Sequence, residues 1–195
     1  MNSVTSIVMV GVGGQGILLA TQIAARAALI KGYDVKTNEV HGMAQRGGSV
    51  VAQIRFGQKV YSPLVPEGTA QVLASLERIE ALRFAGFLSA DGLAVVSSQA
   101  IVPVTVSSGQ ATYPADAEER LKTAFPRLAY IDAVGVAEKI CDMRVANVIL
   151  LGAMSTALEL PAECWEKAIA QCVKPKSLAV NLRAFEEGRR LAVSV

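Results

Sequence analysis

The stretch Ser6-Ile7-Val8-Met9-Val10-Gly11-Val12-Gly13-Gly14-Gln15-Gly16, running on into the proline-free, Ala- and Leu-rich segment Gln15 to Ile30, decides how the chain is read. A short β-branched run ends at Gly11, glycines follow, and an apolar helical segment opens directly behind them, which predicts strand, glycine loop and helix. Gly11 to Gly16 satisfies Gly-x-Gly-x-x-Gly in the position where glycines permit a tight turn and the free N–H groups at a helix start favour an anion. The same glycines also suit a strand-to-helix turn packed hard on a sheet or on a partner. Gly14 and Gln15 are not typical of a nicotinamide fingerprint, so a phosphate-bearing ligand held by Gly11, Gly13, Gly14, Gln15 and Gly16 and a purely structural or interface turn both stay open.

Outward from this point, Gly32 closes the helix and Tyr33 to Val40 reads as a second strand. Val50, Ala52, Ile54 and Phe56 alternate with polar positions as a third strand requires, and Gly57-Gln58 predicts a hairpin turn into Lys59 to Tyr61. Ala70 to Leu76 is the next apolar run, Glu77 to Leu88 a helix, and Leu93 to Ser97 a buried strand after the turn signal Asp91-Gly92. Ser98 to Pro114 reads as an irregular excursion with a small hairpin. A helix over Asp116 to Phe125, capped by Asp116, precedes the strand Leu128 to Ile131 and a helix from near Asp132. The remainder, about 132–195, is helical, with Trp165, Ala168, Ile169 and Cys172 at helical spacing. Strands alternating with helices predict an α/β chain of one domain over 1–195, a Rossmann-like, doubly wound, mostly parallel sheet with an antiparallel hairpin and a helical C-terminal third.

Composition narrows the function. A net charge of +2 from 19 basic and 17 acidic residues, without a basic run, argues against nucleic acid and membrane surfaces as partners. No secretory pattern opens the chain, and the apolar stretch Val145 to Leu158 is too short to span a bilayer, so a cytoplasmic location is expected. Cys141, Cys164 and Cys172 form no Cys-x-x-Cys pair and His41 is the sole histidine, which excludes a disulfide framework, an iron–sulfur site and a zinc site built on several histidines.

The second polar constellation is Glu39-Val40-His41-Gly42-Met43-Ala44-Gln45-Arg46-Gly47-Gly48-Ser49, at the carboxyl end of a predicted strand, the edge where open α/β sheets bind ligands. Arg46, between Gln45 and the pair Gly47-Gly48, offers a fork of donors to a carboxylate or phosphate, and the small neighbours let a ligand or partner backbone approach. Glu39 is placed to act as a ribose-binding acid if a nucleotide occupies the glycine loop, and His41 by itself suits an internally satisfied side chain. Gln45 to Ser49 is expected to contact a ligand or a partner. Glu77 and Glu80, one helical turn apart, fit a solvated or interface helix face rather than paired acid–base catalysis. Asn147 and Asn181, in apolar helical surroundings, are candidates for hydrogen-bonding a loop or a partner.

Taken together, Gly11-Val12-Gly13-Gly14-Gln15-Gly16 and Glu39-Val40-His41-Gly42-Met43-Ala44-Gln45-Arg46-Gly47-Gly48-Ser49-Val50 make the chain resemble the small (beta) subunits of indolepyruvate ferredoxin oxidoreductases, within the gamma-type domains of 2-oxoacid:ferredoxin oxidoreductases. Val60-Tyr61-Ser62-Pro63, Leu76-Glu77 with Glu80-Ala81, Asn147 with Leu151-Gly152, and Asn181 with Ala184-Phe185 extend the likeness over nearly the whole chain. Gamma subunits of pyruvate and 2-oxoglutarate oxidoreductases share the glycine loop but usually differ over His41 to Arg46. The resemblance implies oxidative decarboxylation of a 2-oxoacid to an acyl-CoA, with coenzyme A as co-substrate and electrons passed to ferredoxin. It places thiamine diphosphate, Mg and 4Fe-4S clusters on a large partner subunit, and no catalytic residue, cofactor or metal on this chain. A gamma subunit acting on pyruvate or 2-oxoglutarate and a stand-alone nucleotide-binding module are the alternatives.

Overall fold

The computed structural model describes residues 4–42, 47–140 and 142–192. Six strands, β1 (Thr5–Val12), β2 (Asp34–His41), β3 (Ser49–Gly57), β4 (Ala70–Ser75), β5 (Leu88–Ser97) and β6 (Leu128–Ile131), form one sheet in the order β2-β3-β1-β4-β5-β6. β1, β4, β5 and β6 are mutually parallel, whereas β3 runs antiparallel to both β1 and β2, so β2 again points the way β1 does.

Side-chain alternation in β1 explains the two layers. Ile7 and Met9 face a cluster built with α1 (Ile17–Ile30), α5 (Ala133–Lys139), α6 (Ala146–Ser155), α7 (Ala162–Cys172) and α8 (Leu178–Ala192). Val8 and Val10 face a smaller cluster with Ala81 of α2 (Arg78–Arg83) and Leu121 of α4 (Ala117–Ala124). Helices thus cover both faces, as the doubly wound expectation requires. In the larger layer Trp165 and Phe185 stack with ring centroids 5.9 Å apart. There α6 and α8 cross so tightly that a Cβ on Gly152 would overlap the Phe185 carbonyl, and one on Gly188 the Ile149 carbonyl.

Several local expectations are corrected. The antiparallel hairpin is β2–β3, joined by the 42–48 loop, and Lys59 to Tyr61 is not a strand. That segment is tied by side chains instead: Asp34 accepts the Val60 N–H (2.9 Å), Arg55 donates to the carbonyls of Ser62 and Leu64 (both 3.1 Å), and Gln53 accepts the Val65 N–H (2.8 Å). Asp91-Gly92 lies within β5 rather than at a turn before it. The register with β4 shifts there, and a Cβ on Gly92 would come 2.9 Å from the Ala70 carbonyl oxygen, so the glycine serves a close backbone approach. The helix expected over Glu77 to Leu88 ends at Arg83 and gives way to a single tight turn, Ala85–Phe87. In place of the small hairpin expected between Ser98 and Pro114 stands the short helix α3 (Val104–Ser107). Asp116 makes no side-chain cap; its carboxylate is engaged by Arg120 at 2.9 Å.

Candidate site at the carboxyl edge of the sheet

The glycine turn, Gly47 to Ser49, Glu77 with Glu80 and the 98–114 excursion meet at the edge where β1, β4 and β5 end. Gly11 is the last β1 position whose side would meet α1: a Cβ there would lie 2.7 Å from Gln15 Oε1 and 2.8 Å from Ile17 Cδ1. Gly16, with φ 80° and ψ 27°, is the residue before α1 and holds a left-handed conformation that glycine adopts without the Cβ penalty. Its carbonyl accepts the side-chain amide of Asn147 (3.0 Å), and a Cβ on it would stand 2.6 Å from that same nitrogen. The first turns of α1 and α6 are therefore pinned together, and no side chain caps either helix. Asn147 is 3% exposed, and its Oδ1 has no hydrogen-bond partner among the described residues.

The glycine loop is largely occupied by its own neighbours. The Gly13 N–H donates to the Gly48 carbonyl (2.8 Å), and the Gln15 N–H donates to the Val12 carbonyl (3.2 Å). Gln15 folds back so that its oxygen accepts the Val12 N–H (2.7 Å) while its amide donates to the Leu76 carbonyl (2.7 Å) and to Gln99 Oε1 (2.8 Å). This is a strut across the ends of β1, β4 and β5.

The second constellation reaches the first through its far leg. Gly42 N–H donates to the Ser49 carbonyl (3.1 Å), which closes the hairpin mouth, and Gly47, at φ 77°, and Gly48 lie alongside Gly13. Ser49 stands opposite Val12 and its hydroxyl donates to Glu80. Gln45 and Arg46 lie outside the described residues. His41 is exposed on β2, opposite Val50. Glu39 is also exposed and turns toward α1, lining a shallow groove of about 200 Å³ with Arg26 and Thr37. Because β3 is inserted between β1 and β2, Glu39 is two strand spacings, about 10 Å, from the strand that carries the glycine loop. That separates it from the position a ribose-binding acid needs.

Glu77 and Glu80 occupy no solvated face: they are 2% and 6% exposed. Glu77 precedes α2 and caps it by accepting the N–H groups of Ile79 (2.7 Å) and Glu80 (2.9 Å). Its other oxygen accepts the Tyr113 hydroxyl (2.6 Å) and the Ile101 N–H (3.3 Å). Arg78 donates to the Tyr113 oxygen (3.0 Å), with its guanidinium 4.9 Å from the ring centroid, and its backbone N–H donates to the Gln99 carbonyl (3.1 Å). Burial, and then the carboxylate of Glu77, push the Tyr113 phenol up to about 12. Glu80 accepts Arg83 (2.7 Å) on one oxygen and Ser49 on the other.

These bonds close on themselves. From Ser49 they run through Glu80, Glu77, Tyr113, Arg78, Gln99 and Gln15 to Val12, and return through Gly13 and Gly48. The ring braces Gly48 and Ser49 and the 98–114 excursion on either side of the glycine turn. Sequence reasoning missed Arg78, Gln99 and Tyr113 and set the two glutamates aside; the available signal was a pair of acids directly after a strand at the sheet's carboxyl edge.

The donor set among the described residues does not fit a metal or cluster. Among the described residues no group of three His, Cys, Asp or Glu side chains is placed to hold a metal ion. Cys164 is buried, the Cys172 thiol is pushed up by burial, and Cys141 lies outside the described residues. The three cysteines of the chain also fall short of the four thiolates that commonly hold an iron–sulfur cluster. Among the described residues no helix is long and apolar enough to cross a membrane.

Fold and edge together define an α/β unit whose sheet edge carries a glycine turn with its Gly13 and Gln15 N–H groups already bonded, flanked by Gly47 to Ser49 and the 98–114 excursion. Residues 6–191 match the family described as pyruvate ferredoxin/flavodoxin oxidoreductase, and the chain belongs to that family. It is 43% identical to the indolepyruvate oxidoreductase subunit IorB of Thermococcus kodakarensis (96% of this chain, 95% of the relative). It is 42% identical to the subunit of the same name from Archaeoglobus fulgidus (97% and 96%). The pyruvate/ketoisovalerate oxidoreductases common subunit gamma of Pyrococcus furiosus is 27% identical over 91% of each chain. Among solved structures, the gamma subunit of a keto/oxoacid ferredoxin oxidoreductase from Geobacter sulfurreducens aligns with TM-score 0.72 at 22% identity (98% and 99% covered). A 2-oxoglutarate:ferredoxin oxidoreductase from Magnetococcus marinus aligns with TM-score 0.76 at 20% identity, over all of this chain and 32% of that one. These two likenesses are of fold.

Proposed function

We propose that the chain is the small, cluster-free subunit of an indolepyruvate-type 2-oxoacid:ferredoxin oxidoreductase, acting in the cytoplasm with a large partner subunit. The complex converts a 2-oxoacid and coenzyme A to an acyl-CoA and CO2, and passes two electrons to ferredoxin. Thiamine diphosphate, Mg and the 4Fe-4S clusters belong to the large subunit. Identity of 42–43% to subunits named for indolepyruvate, against 27% to a gamma subunit named for pyruvate and ketoisovalerate, supports the aryl-pyruvate reading over the gamma alternative.

The observation that carries the role of this chain is the Gly13–Gly48 backbone bond, which joins the glycine turn to the loop bearing Gln45 and Arg46. On this reading the glycine turn and the Gln45 to Ser49 loop help shape the active-site mouth, and that loop serves contact with coenzyme A or the partner. The glycine turn serves the loop as a platform, since its Gly13 and Gln15 N–H groups are already bonded. Coexpression with the large subunit, followed by an assay of 2-oxoacid-dependent reduction of a ferredoxin substitute, is the test. Activity is expected only when both chains are present, and Arg46→Ala is expected to reduce it without unfolding this chain. Turnover by the purified small chain alone, or by the large chain at an unchanged rate without it, would overturn the reading.

A further inference from the structure

The geometry points to Glu80 as a positioning residue for the leg of the loop that carries Gly47 and Gly48, acting through the hydroxyl of Ser49; the inference rests on the functional reading above. Within helix α2 this carboxylate engages only one of its oxygens, with Arg83. Glu77 already caps the helix, and Ala81, fully buried, anchors it to the sheet. A carboxylate taken out of water is unfavourable unless it is paired and hydrogen-bonded. Among the described residues the cation paired with Glu80 is Arg83, whose side chain is 57% exposed and so only partly compensates it. What the second oxygen gains is Ser49, the first residue beyond two glycines that has a side chain to hold.

Register explains why that one bond sets the loop. Ser49 pairs with Val12 at the very end of the β1–β3 ladder, on the face that α2 covers. Beyond it, among the described residues, the chain is held by backbone bonds: Gly13 N–H to the Gly48 carbonyl, Gly47 N–H to the Gly13 carbonyl and Gly42 N–H to the Ser49 carbonyl. Glycines resist rotation weakly, so without the Ser49 tether Gly47 and Gly48 keep their bonding partners but lose a fixed direction. The loop would then meet coenzyme A in a broader range of poses while the sheet stays intact.

The test uses the complex of this chain with its large subunit and the variants Ser49→Ala, Ser49→Thr and Glu80→Gln. Ser49→Ala and Glu80→Gln are expected to raise KM for coenzyme A about tenfold with kcat nearly unchanged, the size of one lost charge-assisted hydrogen bond. Ser49→Thr, which keeps the hydroxyl, should restore the wild-type value, and the double variant should be no worse than either single one. Hydrogen exchange on the full chain supplies a second readout: amides of Gly47 to Ser49 should exchange faster in Glu80→Gln while those of α6 do not change. A loss confined to kcat, or an unchanged KM beside an active wild-type complex, would refute the positioning role and leave the functional reading standing. If the wild-type complex itself does not turn over, the functional reading fails; the exchange measurement then decides alone whether Glu80 fixes the loop.

Discussion

Replacing Gly16 and Gly14 separately by alanine separates backbone strain from contact at the glycine turn. Both residues have positive φ, 80° and 102°, so a Cβ at either costs about 1–2 kcal/mol of conformational energy. At Gly14 nothing lies within 4 Å of the added carbon, and the strain is the whole cost. At Gly16 the new Cβ would stand 2.6 Å from Asn147 Nδ2, so the amide must leave the Gly16 carbonyl. Asn147 is buried and its Oδ1 already has no partner among the described residues, so a displaced Nδ2 adds about 1–3 kcal/mol of unsatisfied polarity. The expected losses are about 1–2 kcal/mol for Gly14→Ala and about 2–5 kcal/mol for Gly16→Ala. Urea unfolding followed by fluorescence suits the measurement, because Trp165 is the chain's one tryptophan and is fully buried. Equal losses in the two variants would refute the claim that Asn147 locks the two helix starts together.

Three further outcomes follow from the same structure. Tyr113 is pushed up to about 12 against an ordinary value of 10, so its neutral form is favoured in the folded chain. Its contribution is complete below pH 10 and is lost as pH rises from there to about 12; the urea midpoint should fall through that window, and Tyr113→Phe should lack this part of the fall. Gly188→Ala gains about 1 kcal/mol of helix propensity but drives a Cβ into the Ile149 carbonyl at a cost of about 3 kcal/mol, so a net loss of about 2 kcal/mol and a drop of roughly 4–8 °C in Tm are expected. A more stable variant in a melting scan would contradict the close crossing of α6 and α8. Finally, titration of the isolated chain with NAD, FAD or ATP by calorimetry should give no micromolar binding, because Glu39 is two strands away from the turn and the Gly13 N–H is taken; such binding would favour the stand-alone nucleotide module.

What could be read from the sequence is what local physics determines. The strand–turn–helix from Ser6 to Ile30, the alternation of β3 and the helical C-terminal part are each signalled within a few residues of themselves, and all are present. The insertion of β3 between β1 and β2 is a matter of pairing between distant segments, and no local pattern encodes it. The same limit explains the misplaced hairpin: Gly57-Gln58 has the composition of a tight turn, while the true connection is the longer 42–48 loop. Glu77 and Glu80 show why spacing alone misleads, since two acids one helical turn apart look alike whether their helix faces water or a sheet. Asn147, picked out as a polar group among apolar neighbours, does bond a loop, the carbonyl of Gly16. Asn181 instead bonds Ser177, immediately before its own helix. Tyr113 gave no signal, because its role depends on an irregular excursion folding back onto α2.

The position of β2 bears on how the chain behaves before any other polypeptide covers it. As the outermost strand it leaves an eight-residue row of main-chain groups open on one side, the kind of border along which unrelated molecules stack into aggregates. Charged side chains at Asp34, Lys36 and Glu39 punctuate that border and discourage such stacking. Replacing Lys36 and Glu39 with apolar residues would therefore harm handling at high concentration well before it altered the fold.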